Sequence, residues 1–410
     1  MGRIIFGDEN AVKDQLFCDC FVKPRDVSER PILTGRWGVG KSAIFFHENY
    51  KLSKLLEKSG ENDRLRWYIG ENDLDLLALR NLQSKFGTDR ERFTRALETM
   101  WKTRIIFTEA ELLYKLREFY KSPMGVHWDY IAKIAKAQSA TLPIWKRIPD
   151  VLSMVVGTDK GRVNAFKDIQ DALEKTFINK ALDNLQACLK DIENPRVQPT
   201  IVIEPIDTPT STLGKEGSLA QSVVTALLNV YSSTFTQSKD QLIPLRIAIP
   251  WHRYRPELLD YPQRFYSYVG PIKWDSHSLR NFINRRIEWE FKRVERPKKT
   301  YIRGFDAWSI LFEDYVINEH CKPKIREESF FYLLRHTHYR PRDLQRLVRM
   351  AVEKSAVLSR ISVDDLLFGK DGIKVRSSAI RESPSEYCPL LMQIEFMPEV
   401  KRKFSSAVTN

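Results

Sequence analysis

Eight residues, Gly35-Arg36-Trp37-Gly38-Val39-Gly40-Lys41-Ser42, constrain this chain more than any other stretch, because glycines set so closely are useful only where the backbone must curl tightly. They follow Pro31-Ile32-Leu33-Thr34, a short apolar run with the character of a buried strand. They precede Ser42-Ala43-Ile44-Phe45-Phe46, which opens a helical pattern. Strand, turn and helix in that order spell G-x-x-x-x-G-K-[ST] in full. In such a turn successive backbone N–H groups face an anion, no Cβ blocks its approach, and the helix N-terminus adds partial positive charge. The expectation is that residues Gly35 to Ser42 cradle the phosphates of a nucleoside triphosphate, with Lys41 near the β- and γ-phosphates and Ser42 ligating Mg²⁺. A glycine-rich turn without a ligand is the bland alternative, and the order of the three elements weighs against it.

At 410 residues with 42% hydrophobic content, the chain can build two or three units, each with its own core. No uninterrupted apolar stretch reaches spanning length, and Met1 to Asp8 lacks the apolar core of a signal peptide, so a cytoplasmic protein is expected, with no membrane partner. Cys18, Cys20, Cys188, Cys321 and Cys388 are odd in number and scattered, which fits a reducing compartment better than a disulfide framework. Cys18 and Cys20 have no second Cys or His pair nearby, which argues against zinc.

A formal net charge of +13 suggests a polyanionic partner such as nucleic acid, or only a solvated basic surface. Two clusters in the C-terminal half concentrate it. One runs from Arg285 and Arg286 through Lys292, Arg293 and Arg296 to Lys298 and Lys299; the other holds Arg335, Arg340, Arg342, Arg346 and Arg349.

Besides the strand before the glycine turn, four segments read as buried parallel strands: Arg66 to Ile69, Thr200 to Ile203, Leu245 to Ile249 and Tyr268 to Ile272. An α/β core with a parallel five-stranded sheet over residues 1–275 follows, interrupted at about 75–195 by a helical insertion that suits a partner-binding or autoinhibitory surface. Gly125, Gly157, Pro123 and Pro143 punctuate that insertion. From Ser276 the pattern reads as wholly helical, a lid over 276–367 whose later part starts at a Ser362 N-cap. The tail 368–410 is ambiguous.

A phosphate-cradling turn needs a carboxylate at a neighbouring strand end for the metal, and Ile201-Val202-Ile203-Glu204 is the one apolar strand that ends in acid. Glu204 is therefore the metal-side candidate together with Ser42. Pro205 follows directly, where it can neither act as a base nor position water. Asp207 could polarise an attacking water from the strand tip, or serve only as a turn-forming acid before Thr208-Pro209. At the end of the fourth strand, His252 or Arg253 could meet a terminal phosphate, or Arg253 and Arg255 could pair with Glu257 and Asp260. Arg342 stands in the first turn of a helix opened by Arg340-Pro341, where the dipole disfavours a cation. Contact with bound phosphate from the lid would give it a task; a salt bridge to Asp343 or a neighbouring helix would also explain it.

Taken together, these residues resemble the STAND and initiator-type branch of AAA+ P-loop ATPases, most closely compact bacterial P-loop ATPases of phage-defence loci. Phe6-Gly7-Asp8 with Ala11 is similar to that group's entry segment, Gly35 to Ser42 to its loop, and Ile201 to Asp207 to its strand ending in D-x-x-D. Lys273-Trp274-Asp275, Leu279 and Arg285-Arg286-Ile287 are similar to its lid entry, and Arg340-Pro341-Arg342-Asp343-Leu344 to its R-P-R-D-L motif, in which the second Arg is a sensor. The resemblance covers residues 1 to 360. It implies an ATP-gated switch with Mg²⁺, Glu204, Asp207 and Arg342 in catalytic roles, a protein partner or effector, and possible homo-oligomers. Glu204 in place of Asp, with no adjacent Glu, implies slow turnover. A nucleic-acid-binding ATPase that grips phosphates through Arg285 to Lys299, and a scaffold that binds nucleotide without hydrolysing it, are the competing expectations.

Overall fold

The computed structural model describes residues 5–8, 17–24, 30–48, 68–70, 76–87, 89–120, 125–138, 171–191, 200–204, 217–236, 243–293, 306–319, 322–369 and 373–393. Short apolar runs supply its central sheet: β1 (Ile32–Gly35), β2 (Tyr68–Ile69), β3 (Ile201–Ile203), β4 (Leu245–Pro250) and β5 (Val269–Pro271). They form one five-stranded sheet in the order β2-β3-β4-β1-β5, and every pairing is parallel. β1 and β3 are buried along their whole length, which is why they read as continuous apolar runs rather than as an alternation. Each strand falls on a segment the sequence marks as one; Arg66 and Trp67, at the start of the second, lie outside the described residues.

Helix α1 (Lys41–Glu48) follows β1. Helices α2 (Leu76–Phe86), α3 (Arg90–Tyr120), α4 (Val126–Gln138) and α5 (Asn179–Asp191) fill the stretch between β2 and β3, and α6 (Gly217–Val230) links β3 to β4. The 31 residues of α3 make a rod roughly 46 Å long. Its start is fixed by Asp89, whose carboxylate accepts from the Arg92 N–H at 3.1 Å. The inserted helices share one apolar core with the sheet rather than forming a satellite. Trp101 of α3 donates its indole N–H to the Val223 carbonyl of α6 at 3.0 Å, and Trp128 of α4 donates to Asp191 of α5 at 2.9 Å. Pro123, Pro143 and Gly157 lie outside the described residues, while Gly125 directly precedes α4.

The C-terminal part contains α7 (Ser276–Arg293), α8 (Ala307–Leu311), α9 (Ser329–Leu334), α10 (Pro341–Ser359), α11 (Val363–Phe368) and α12 (Ser377–Leu391) around a second core centred on Ile283, Trp308, Phe330, Leu347 and Val348. It is not wholly helical as the sequence reading expects. An antiparallel hairpin, β6 (Tyr315–Asn318) with β7 (Ile325–Glu328), separates α8 from α9. No polar–apolar alternation in Tyr315-Val316-Ile317-Asn318 signals it: Val316 and the polar Asn318 are buried while Tyr315 and Ile317 face outward. Ser362 caps α11 as expected, accepting from the Asp365 N–H at 3.0 Å. The ambiguous tail supplies α12, which packs along α10; residues 394–410 lie outside the described residues. Among the described residues no helix is long and apolar enough to cross a membrane.

Ile5 to Asp8 belong to this second core rather than to the sheet. Phe6 and Gly7 take positive φ of 60° and 80°, and their polar backbone groups are met by side chains of α7 and α10. The Phe6 N–H donates to Glu290 at 2.9 Å, and its carbonyl accepts from Arg286 at 2.6 Å and from Gln345 at 2.8 Å. Arg349 donates to the Gly7 carbonyl at 2.6 Å. Among the described cations of the two clusters, Arg286, Arg340 and Arg349 are used internally. Arg285 binds the Phe21 carbonyl, Arg335 pairs with Glu327, and Arg296, Lys298 and Lys299 lie outside the described residues.

One buried group in the insertion opposes stability. Glu109 of α3 is fully buried beside Ile105, Ile106, Leu112 and Leu113, one turn to either side, and neither carboxylate oxygen has a hydrogen-bond partner among the described residues. Desolvation holds its pKa well above the ordinary carboxylate range. The folded state therefore keeps a proton that the unfolded chain releases once the pH passes the usual carboxylate value, so stability falls as pH rises through that interval. Replacing Glu109 with Met is expected to stabilise the protein by about 1–3 kcal/mol near neutral pH. Thermal melts of both proteins at pH 5 and pH 8 check this: the gain should be larger at pH 8.

Candidate phosphate-binding loop

The glycine turn lies at the carboxyl edge of β1, where the topology reverses. The chain leaves β1 for β2 at the far edge of the sheet, whereas β3 and β4 step back toward β1 and β5 is added on its other side. Such a reversal in a parallel sheet opens a crevice beyond the strand ends, and ligands bind there. Gly35 closes β1 opposite Pro250 of β4. Gly38 and Gly40 have φ of 77° and 92°, a region that side chains with a Cβ rarely enter. At Gly35 a Cβ would stand 2.6 Å from Cγ1 of Val39. All three glycines are required by local geometry, and α1 begins directly at Lys41.

Lys41 is only 4% exposed, and its ammonium donates to the carbonyls of Gly35 at 3.4 Å and Arg36 at 3.3 Å. Both distances exceed the usual 2.7–3.2 Å or so of a strong bond. Ser42 follows in the first turn of α1 and is half-buried. On the same edge of the sheet, Glu204 continues directly from β3 and is buried, its N–H donating to the Ile69 carbonyl at 2.8 Å. β3 and β1 both pair with β4, so the two strand ends stand two strand spacings, roughly 10 Å, apart. Asp207 lies outside the described residues. Among the described residues no three or more His, Cys, Asp or Glu side chains gather as a metal site. Mg²⁺ needs no such cage: it takes one or two protein oxygens plus phosphate oxygens and water. The cradle of positive-φ glycines and the Ser42 and Glu204 oxygens fit that requirement. Bound there, the ion would neutralise charge on the terminal phosphates.

Beyond β4, Arg253 is 4% exposed and its carbonyl accepts from Gln221 at 3.0 Å. Arg255 pairs with Glu257 at 3.5 Å, both of them exposed, in line with the plainer of the two readings for that arginine.

Side chains of the C-terminal part reach three successive residues of the loop. Trp274, which packs against both cores, donates its indole N–H to the Val39 carbonyl at 2.9 Å. Arg340 donates to the Trp37 carbonyl at 3.3 Å. The Arg342 guanidinium lies over the Trp37 ring, 4.1 Å from its centroid, and its side chain runs along Gly38. The salt bridge considered between Arg342 and Asp343 is not made. Asp343 pairs instead with Arg340 at 2.5 Å and accepts from the Tyr387 hydroxyl at 2.7 Å, all three being buried. Burial, and then the Asp343 charge, push the Tyr387 phenol well above its ordinary range. Tyr387 escaped the sequence reading because it lies on α12, in the tail that carried no clear pattern. Trp37 stands within the glycine turn and Trp274 within the lid-entry segment Lys273-Trp274-Asp275, but neither contact was signalled by the sequence.

No known protein family, characterised protein or solved structure matches this chain. What the loop does must follow from its own geometry.

The Arg340–Asp343–Tyr387 group fixes the helix end that meets the loop. Asp343→Ala would leave a buried guanidinium without its counter-charge and is expected to destabilise the protein by about 3–5 kcal/mol. Tyr387→Phe should cost only about 1 kcal/mol. Urea unfolding of the two variants checks the ranking.

Proposed function

We propose that this chain is an AAA+/STAND-like P-loop ATPase that binds ATP with Mg²⁺ in the loop Gly35 to Ser42 and acts as a slow nucleotide-gated switch. The observation that carries this reading is the loop itself: glycines at positive φ, at the carboxyl edge of β1, with a buried lysine ammonium turned onto loop carbonyls. Coupling to a switch is supported by Trp274, Arg340 and Arg342, which touch Trp37, Gly38 and Val39 from the C-terminal part. A ligand that reshapes those three residues changes the seat of the whole C-terminal unit, which is how differential contact becomes a conformational signal. Slow turnover follows from Glu204 being the only acid directly at the tip of β3, with Pro205 after it. Service in a signalling or antiviral-defence assembly, in the cytoplasm and with a protein effector, is what the family resemblance adds.

Lys41→Ala is expected to weaken ATP binding by roughly a hundredfold, the worth of two charge-assisted hydrogen bonds of about 1.5 kcal/mol each. A fluorescent-analogue titration measures it, and parent-like affinity would sink the assignment. Glu204→Gln should keep binding and slow phosphate release on the order of a hundredfold. If the parent releases no phosphate at all, the chain is a nucleotide-bound scaffold.

A second reading, nucleic-acid binding, is favoured by the β6–β7 hairpin rather than by α7. Glu327 and Glu319 of this hairpin pair with Arg335 and Arg381, and Glu328 with Arg280. Its own Lys322, Lys324 and Arg326 stay exposed and make no ion pair among the described residues; Arg326 stacks on Tyr315 at 3.8 Å. A gel-shift series at rising salt decides. This reading requires a shift at low salt that fades steeply and that charge reversal at the three cations removes.

A further inference from the structure

Arg340 and Arg342 enter the same loop from the same helix end, yet they are held in different ways. The guanidinium of Arg340 is buried and committed to Asp343 and to the Trp37 carbonyl. Arg342 is half-buried and makes no hydrogen bond or ion pair among the described residues; its contact is the face of the Trp37 indole. A guanidinium stacked by its face is held through the ring quadrupole while all five N–H donors remain free at its edge. One of them, the Nε–H, stands beside the loop, because a Cβ built on Gly38 would lie 3.7 Å from Nε of Arg342. The position is otherwise unfavourable: Arg342 occupies the first turn of α10, where the helix dipole repels a cation. Without the indole, a long side chain with several rotatable bonds would leave this place for solvent.

We infer that Trp37 is a positioning residue for Arg342: the indole holds in place the arginine to which the family resemblance gives a sensor role at the terminal phosphate. The inference rests on the proposed phosphate-binding role of the loop and deepens it. The loop amides and Lys41 serve the phosphates common to a nucleoside triphosphate and its diphosphate. The edge donors of Arg342, brought in from the C-terminal part, serve the terminal phosphate that only the triphosphate has. Trp37 touches no phosphate in this scheme and acts through Arg342.

Two substitutions at Trp37 separate positioning from packing. Trp37→Phe keeps an aromatic face, whereas Trp37→Leu keeps an apolar side chain without one. Calorimetric titration of Mg-ATP and Mg-ADP into the full chain, with melts to confirm folding, should show ATP affinity lowered roughly five- to thirtyfold in Trp37→Leu and in Arg342→Ala. ADP affinity should stay within about twofold, and Trp37→Phe should recover most of the loss. The double variant Trp37→Leu/Arg342→Ala should bind ATP no worse than Arg342→Ala, since one residue works through the other. Equal loss of ATP and ADP in Trp37→Leu, no rescue by Phe, or additive losses in the double variant would each overturn the inference while leaving the loop assignment standing. Failure of the parent to bind either nucleotide, or parent-like binding by Lys41→Ala, would overturn the assignment itself and the inference with it.

Discussion

A backbone curl that only glycine can make holds this molecule together at its centre. Gly38 and Gly40 at positive φ turn the chain from β1 into α1 within a few residues, and that same tightness exposes the carbonyls of Trp37 and Val39 to one side. Lys41 satisfies the loop from within, through Gly35 and Arg36, while Arg340 and Trp274 satisfy it from the C-terminal part. The loop is therefore a joint between the two cores. The carbonyls that Lys41 meets and those that fasten the second core lie one or two residues apart on the same stretch of backbone.

The distribution of charge follows from the same arrangement. A net charge of +13 suggests a surface built for polyanions, yet many of the clustered arginines in the C-terminal part are used internally. Arg286 and Arg349 satisfy the carbonyls of Phe6 and Gly7, which cannot pair with themselves in a positive-φ turn, and Arg340 balances Asp343 in a buried group. Arginine suits this work because its planar fork can serve several carbonyl or carboxylate oxygens while staying charged. Clustering along the sequence was thus a poor guide to surface potential. Among the described residues, Lys322, Lys324 and Arg326 of the β6–β7 hairpin are exposed and make no ion pair.

The insertion between β2 and β3 illustrates a different economy. Its helices are stitched to α6 and to one another by buried indole N–H groups, each finding an acceptor, and they extend the apolar core of the sheet. Glu109 is the exception, a carboxyl group placed among aliphatic side chains with nothing to accept from among the described residues. Natural proteins tolerate such groups when total stability suffices, and the penalty is carried as a pH dependence rather than as misfolding.

Sequence alone determined the parts of this protein that are local. Strand positions, the glycine turn, the helix that begins at Lys41 and the Ser362 cap were legible because each depends on residues a few positions apart: apolar runs, positive-φ requirements, a hydroxyl within reach of its own helix. The β6–β7 hairpin carried no such local mark, since Tyr315 to Ile317 are all apolar and it is the polar Asn318 that is buried. Strand order, the docking of Ile5 to Asp8 onto α7 and α10, and the choice of Arg340 rather than Arg342 as the partner of Asp343 were decided only in three dimensions. The reason is physical. Two arginines flanking a proline are equivalent in a pattern, and only the packed helix end, with Tyr387 arriving from 44 residues away, buries one beside a carboxylate and leaves the other lying on an indole.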